Sequence, residues 1–332
     1  MAIVLARRKF IAGLGGTAAA WPLAGRAQQP AMPVVAFISG GSSDFSASRV
    51  AAFRKGLSET GTIEGQNVTV DYHWLEGQYN RLPALMADLV RSQVAVIATP
   101  ASTPAALAAR AATATIPIVF AIGEDPVPLG LVANLARPGG NVTGINFFTT
   151  EVPAKELRLL HDLVPKAVRI AVLVNPANAA TAEPTLRAAQ EAAPTIGLQI
   201  QILNASTIGE IDAAFATIAR ERPDALFIAG DGFFYSRRVQ LLTLTAVNKI
   251  PAAYWERELV AAGGLMSYGT DITDSFRLVG VYTGQILKGA KPADLPVQQV
   301  TKFEFVLNLQ TARALGIEVR PDVLSIADEV IE

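Results

Sequence analysis

The sequence predicts an α/β fold of two lobes, each a parallel sheet flanked by helices. Short β-branched apolar runs alternate with helix-like stretches, which is the pattern of βαβ units. These runs occur as two series at a nearly constant offset. The chain of 332 residues, 51% of them hydrophobic, also exceeds one typical core and suits two domains of roughly 150 residues each.

The first series is Val34 to Ile38, Val68 to Tyr72, Val94 to Ala98 and Ile116 to Phe120. The second is Ile170 to Val174, Leu198 to Ile202, Ala225 to Ala229 and Ile250 to Tyr254, lying 136, 130, 131 and 134 residues later. Such regularity predicts two copies of one unit. Val50, Phe53 and Leu57 recur three and four apart, as do Leu82, Leu85 and Leu89. Each row makes an apolar stripe that covers a sheet face. The Ala-rich stretch 104–112 and the set Ile211, Phe215 and Ile218 supply the matching helices, and right-handed crossovers place helices on both faces of each sheet.

The Gly-rich string from Gly139 to Gly144 stops the helical pattern and marks the first expected hinge. The tail beyond Met266, about 65 residues, is too short for a third domain and is expected to cross back and complete both lobes. The expected division is 33–145 with about 270–298 in the first lobe, and 146–269 with about 299–332 in the second. Crossovers then fall near 144–148, 266–271 and 296–302.

At the N-terminus, Arg7, Arg8 and Lys9 precede an apolar run from Ile11 to Leu23, with Gly25 and Ala27 behind it. That order is an export signal, and its paired arginines resemble a twin-arginine leader. Cleavage is expected after Ala27, with a periplasmic destination. Gly13, Gly15, Gly16 and Pro22 break the run, which falls short of the roughly 20 apolar residues of a membrane span.

The net charge is −1, only 17% of residues are charged, and no block of like charges marks a nucleic-acid-binding arm, so no nucleic-acid partner is expected. Cysteine is absent, which excludes disulfides, thiolate nucleophiles, zinc-cysteine sites and a lipid-bearing cysteine. No metal or cofactor is expected. Histidine occurs only at His73, in a strand, and His161, on the polar face of a helix. Nucleophile elbows, zinc-binding His-Glu-x-x-His strings, Walker loops and dinucleotide fingerprints are all missing. The chain therefore reads as a binding protein and not an enzyme, with a hydrolase using carboxylates alone as the catalytic alternative.

In open parallel sheets, ligands lie outside the carboxyl ends of the strands, close to helix N-termini. The loops behind the runs are thus the expected site. Ser42, Ser43, Ser102 and Thr103 are either helix caps or ligand contacts, and with Thr99 they form a hydroxyl-rich rim that suits a carboxylate. Glu124, Asp125, Asp231 and Glu256 either answer an ammonium group or serve as turn residues. Asn175 opens the loop behind Val174. Phe233, Tyr254, Trp255 and Tyr268 either pack on an apolar ligand body or point into the core. The set points to an amino acid or a related small organic acid.

Six strings carry a resemblance: Phe53 to Leu57, Glu64 to Asn67, Asp125 to Val132, Arg137 to Gly144, Gly263 to Gly269 and Asn308 to Ala312. From about Pro33 to its end, the chain resembles the ABC-transporter substrate-binding proteins of the type I periplasmic-binding fold, a group that includes tryptophan- and tyrosine-binding proteins. The resemblance implies two Rossmann-like lobes joined by three crossovers, a ligand cleft between them, and a monomer that hands a small-molecule ligand to an ABC permease in the inner membrane. A periplasmic sensory or accessory binding protein is the alternative. The resemblance also implies ligand contacts from Asp231, Ser267 and Tyr268. This chain departs from the group at Asp231-Gly-Phe-Phe and at Asn146-Phe-Phe. There Phe147, Phe148, Phe233 and Phe234 either line an altered pocket or fill part of it, and Asn146 is an expected ligand contact.

Overall fold

The computed structural model describes residues 32–147, 152–300 and 302–332. The expected export signal and Phe148 lie outside the described residues. The chain first forms β1 (Val34–Ser39), α1 (Ala47–Glu59), β2 (Thr69–Trp74), α2 (Leu82–Arg91), β3 (Val96–Pro100), α3 (Thr103–Ala112), β4 (Ile118–Ile122) and β5 (Val142–Asn146). A second series follows as α4 (Val152–Leu163), β6 (Arg169–Val174), α5 (Ala179–Ala192), β7 (Gln199–Asn204), α6 (Ile208–Glu221), β8 (Ala225–Ile228), α7 (Gly232–Ser236), α8 (Arg238–Val247), β9 (Ala252–Tyr254), α9 (Arg257–Ala261) and β10 (Met266–Thr270). The tail adds α10 (Ile272–Leu287), β11 (Gln298–Gln299), β12 (Phe303–Asn308), α11 (Leu309–Ala314), α12 (Pro321–Ser325) and β13 (Glu329–Ile331).

Two sheets result, ordered β11-β5-β4-β3-β1-β2 and β13-β12-β10-β9-β8-β6-β7. The order β2-β1-β3-β4-β5 in one is matched by β7-β6-β8-β9-β10 in the other, so the sequence repeat is a topological repeat. All eight apolar runs are strands. Three begin two residues late, β3 at Val96, β4 at Ile118 and β9 at Ala252. In the last two the cause is Pro117 and Pro251, which have no N–H to give to the ladder. The sheets are parallel as expected except at β12. This strand runs antiparallel to β10, from Met266 opposite Leu307 to Thr270 opposite Phe303. It arrives from β11 in the other sheet, so no crossover helix of its own sheet dictates its direction.

Each sheet is covered on both faces, giving four buried apolar clusters. The tail is shared. Helix α10 packs on α1 and the first sheet, β11 pairs with β5, and β12 and β13 extend the second sheet. The α1–α10 crossing is close because glycine stands on both sides. A Cβ on Gly56 would overlap the Arg277 carbonyl oxygen, and one on Gly280 would overlap that of Phe53. The approach lets Phe276 join Phe37 and Phe53 in an aromatic group, with Phe37–Phe53 centroids 5.0 Å apart. No described helix is long and apolar enough to cross a membrane.

Candidate functional site

The strand carboxyl ends of both sheets border a cavity of about 110 Å³. A single water takes about 10–15 Å³, so the cavity has room for a small organic molecule. Thr103 and Glu124, behind β3 and β4, come from the first sheet, and Asp231, Tyr235 and Trp255, behind β8 and β9, come from the second. Both crossover helices also start here, α4 with Val152 and Pro153 and α10 with Ile272.

Among the described residues, three hydrogen-bonded links join the two sides, besides a looser ion pair of Arg237 with Glu76 at 4.0 Å. Arg49 of α1 donates through Nη2 to both carboxylate oxygens of Glu256 at 2.6 and 2.5 Å, and both side chains are buried. The guanidinium lies 3.4 Å from the centroid of the Tyr235 ring, a cation–π contact strengthened by the loss of water. Burial pushes the Glu256 carboxyl above its usual range, and Arg49 pulls in the other direction. Glu124 is the second link: it accepts from the Thr103 hydroxyl on its own side and from Thr181 of α5 on the other, both at 2.5 Å. The third runs from the Tyr79 hydroxyl to Asp231 at 3.3 Å.

Asp231 and Glu124 differ in how much capacity they keep. Asp231 caps α7 by accepting the Phe233 and Phe234 amides. It also accepts from the side-chain amides of Asn175 and Asn178. With Tyr79, five donors converge on a group that offers about four lone-pair positions. Glu124 has two side-chain donors and room for more. Burial raises the pKa of both carboxyls, and the hydrogen bonds oppose it.

Glu156, on the first turns of α4, lines the same cavity and is 2% exposed. The Tyr268 main chain lies near enough to favour its charged form, while its Oε1 is buried without a partner. Burial therefore holds this carboxyl well above the usual carboxylate range.

Residues 31–331 match the family model for ABC transporter substrate binding protein. The chain belongs to that family. It is a family of substrate-binding proteins, not of enzymes. The chain is 27% identical over 266 residues to the tyrosine-binding protein of Clostridioides difficile (strain R20291), covering 80% of this chain and 76% of that one. Its structure resembles the ABC domain in complex with L-Trp from Streptococcus pneumonia, with a TM-score of 0.78, 26% identity, and coverage of 90% of this chain and 100% of that one. A conserved domain protein from Vibrio cholerae gives 0.77 and 27%, covering 90% and 99%. The two-lobed, sheet-and-helix architecture of this substrate-binding protein is thus that of the type I periplasmic-binding fold.

Of the residues the sequence nominates, Thr103, Glu124, Phe147, Asp231 and Trp255 line the cavity. Others hold them in place. Asn175 donates to Asp231, and Asn146 donates to the main-chain carbonyls of Ile122 and Glu124, fixing the loop that carries Glu124. Thr99, Ser102 and Ser267 are buried hydroxyls without partners next to these segments. Ser102 makes no capping bond to α3. Tyr268 is half-buried and stacked on Phe303, 5.7 Å between centroids. Asp125 accepts from the Val127 amide, which is turn chemistry.

Several nominated side chains stand away from the cavity. Ser42 is half-buried and Ser43 exposed, with Ser43 bonded to Asp44. Tyr254 belongs to the core, its hydroxyl 2.9 Å from that of Thr245. Phe233 and Phe234 pack in the same core cluster, and Phe233 also abuts Gly77 from the other sheet. Glu256 is occupied by Arg49. Sequence reasoning missed Arg49, Glu156, Thr181 and Tyr235. Arg49 and Glu156 did leave a signal, since each is a charged residue at a buried position of a helix stripe: Arg49 with Phe53 and Leu57, Glu156 with Val152, Leu160 and Leu163.

Proposed function

We propose that this protein is the periplasmic solute-binding component of an ABC importer, and that its solute is an amino acid with an aromatic side chain. The observation that carries the reading is the cavity walled by both sheets, with the Arg49–Glu256 and Glu124–Thr181 links spanning it. Glu124 has spare acceptor capacity for an ammonium group, and the Nε of Arg49 is buried without a partner, which suits a ligand carboxylate. Phe147, Val152, Phe227, Ile272 and Phe303 supply apolar wall for a ring. The likeness to a domain in complex with L-Trp and to a tyrosine-binding protein supports the same solute class.

Binding is reversible and needs no cofactor. The links across the cavity form only when the lobes meet, and a ligand that touches both lobes adds to them, so the ligand favours the closed arrangement. The lobes divide as 33–145 with about 270–298, and 146–269 with about 299–332, with hinges at the three crossovers. A monomer exported through its N-terminal signal delivers the closed form to the permease.

Mass spectrometry of the ligand that copurifies with the exported protein, followed by calorimetry with that compound, tests the reading. One unmodified aromatic amino acid per chain is expected. A sugar, an aliphatic acid or a chemically altered product overturns it.

A further inference from the structure

The polar groups assigned so far account for the two ends of an amino acid and leave Glu156 unexplained. Its helix, α4, opens the second lobe as α10 completes the first, and the contrast between them is informative. The buried positions of α10 include no charged residue, whereas α4 places one carboxyl among Val152, Leu157, Leu160 and Leu163. A buried carboxyl with an unpartnered oxygen is a cost to the fold. It is retained at a place where two neighbours on the same helix face, Val152 and Pro153, are cavity wall.

We propose that Glu156 selects the ligand's side chain, by hydrogen bonding to an O–H or N–H group carried on an aromatic ring. The inference rests on the aromatic amino-acid reading above and adds to it the chemical class of the ring. The Tyr268 main chain faces the carboxyl, and Oε1, buried with no partner, is left for the ligand. A phenol hydroxyl or an indole N–H supplies the missing partner, and a plain phenyl ring does not. Phe147, Phe227 and Phe303 provide the surrounding apolar surface, which excludes water and enlarges the penalty for a ligand that fails to make the bond.

The geometry separates two conservative variants. In Glu156→Leu no hydrogen-bonding group remains. In Glu156→Gln the amide oxygen turns to the Tyr268 N–H and the NH2 group faces the ligand. A hydroxyl, which accepts as well as donates, pairs with that NH2, but an indole N–H does not.

Calorimetric titration of the wild-type chain and both variants with L-tyrosine, L-tryptophan and L-phenylalanine tests the inference, with thermal unfolding of each variant to verify folding. The wild type is expected to prefer tyrosine and tryptophan over phenylalanine by about tenfold or more, which is the worth of one well-made hydrogen bond in a dry site. Glu156→Leu is expected to abolish that preference while leaving phenylalanine binding unchanged or tighter. Glu156→Gln is expected to keep the preference for tyrosine and lose it for tryptophan. A preference that survives Glu156→Leu, or an equal loss for all three ligands, overturns the role of Glu156 alone. Absence of binding by any of the three to the wild type overturns the aromatic reading and this inference with it.

Discussion

Arg49 and Glu256, 207 residues apart, are joined by one guanidinium nitrogen that donates to both oxygens of the carboxylate. The pair is buried between Tyr235 and Phe276, whose rings lie 3.4 and 5.4 Å from the guanidinium carbon. Removing one partner strands a charge in that slot and is expected to cost about 3–5 kcal/mol, divided between fold stability and lobe closure. The double change Arg49→Met with Glu256→Leu is expected to recover most of the loss. Urea unfolding and small-angle scattering of the two single variants and the double variant check this. Singles no worse than the double would contradict a paired role.

The pH dependence of the empty protein follows from Glu156. Its folded pKa lies above the unfolded value of 4.5, so the folded state holds the proton more tightly. The stability it contributes is fully present below pH 4.5 and is lost as pH rises through the folded value. Glu124, Asp231 and Glu256 are shifted in the same direction, so they add to the same slope. Glu156→Gln is therefore expected to be more stable than wild type at neutral pH, with the gap narrowing toward pH 4.5. Melting temperatures across pH 5 to 8 in the absence of ligand provide the measurement. A constant gap would mean that Glu156 does not titrate differently on folding.

Tyr254 tests the division between core and site. Its hydroxyl and that of Thr245 satisfy each other inside the second lobe, and burial holds the phenol well above its usual range. Tyr254→Phe is expected to lower stability by about 0.5–1.5 kcal/mol, the net worth of one buried hydrogen bond, with no change in ligand affinity. A tenfold weaker affinity in calorimetry would instead place this ring at the ligand.

The glycines of the α1–α10 crossing give a prediction about the frame. Gly56→Ala drives a methyl group into the Arg277 carbonyl and is expected to cost about 2 kcal/mol or more, since backbone must move to admit it. Gly209→Ala, in the first turn of α6 with nothing within 4 Å, is expected to be neutral or stabilising. Denaturant midpoints of the two variants make the comparison.

Six of the eight strands were legible because a strand buried on both faces is a continuous apolar run closed by turn residues. The edge strands β2 and β7 were legible because apolar and polar residues alternate in them. The tail was less so. β11 is a pair of exposed glutamines at a sheet edge, and β10 mixes serine, tyrosine and glycine with one methionine, so neither has a strand's composition. At the site, Thr103, Glu124 and Asp231 were legible because strand-end loops are where a parallel sheet exposes its ligand surface. Phe147, at the end of β5, came to notice as a departure from the resembling group. Arg49 and Glu156 were not found because a charge in a helix is read as its solvated side. Only the register with Phe53 and with Leu160 shows otherwise. The partnership of Arg49 with Glu256 depends on how two lobes meet, which no local pattern encodes.

The packing of α10 on α1 also sets the order in which the molecule is finished. Phe53 and Leu57 have their cover supplied by Phe276 and Val279, and Glu59 finds Arg277 218 positions downstream. A chain made from its N-terminus therefore carries a first half that stays incomplete while the second half is already assembling. Until Ile272 to Leu287 is in place, an apolar flank of that early half stands open to misassociation. Loss of the late segment would injure the beginning of the protein more than its end.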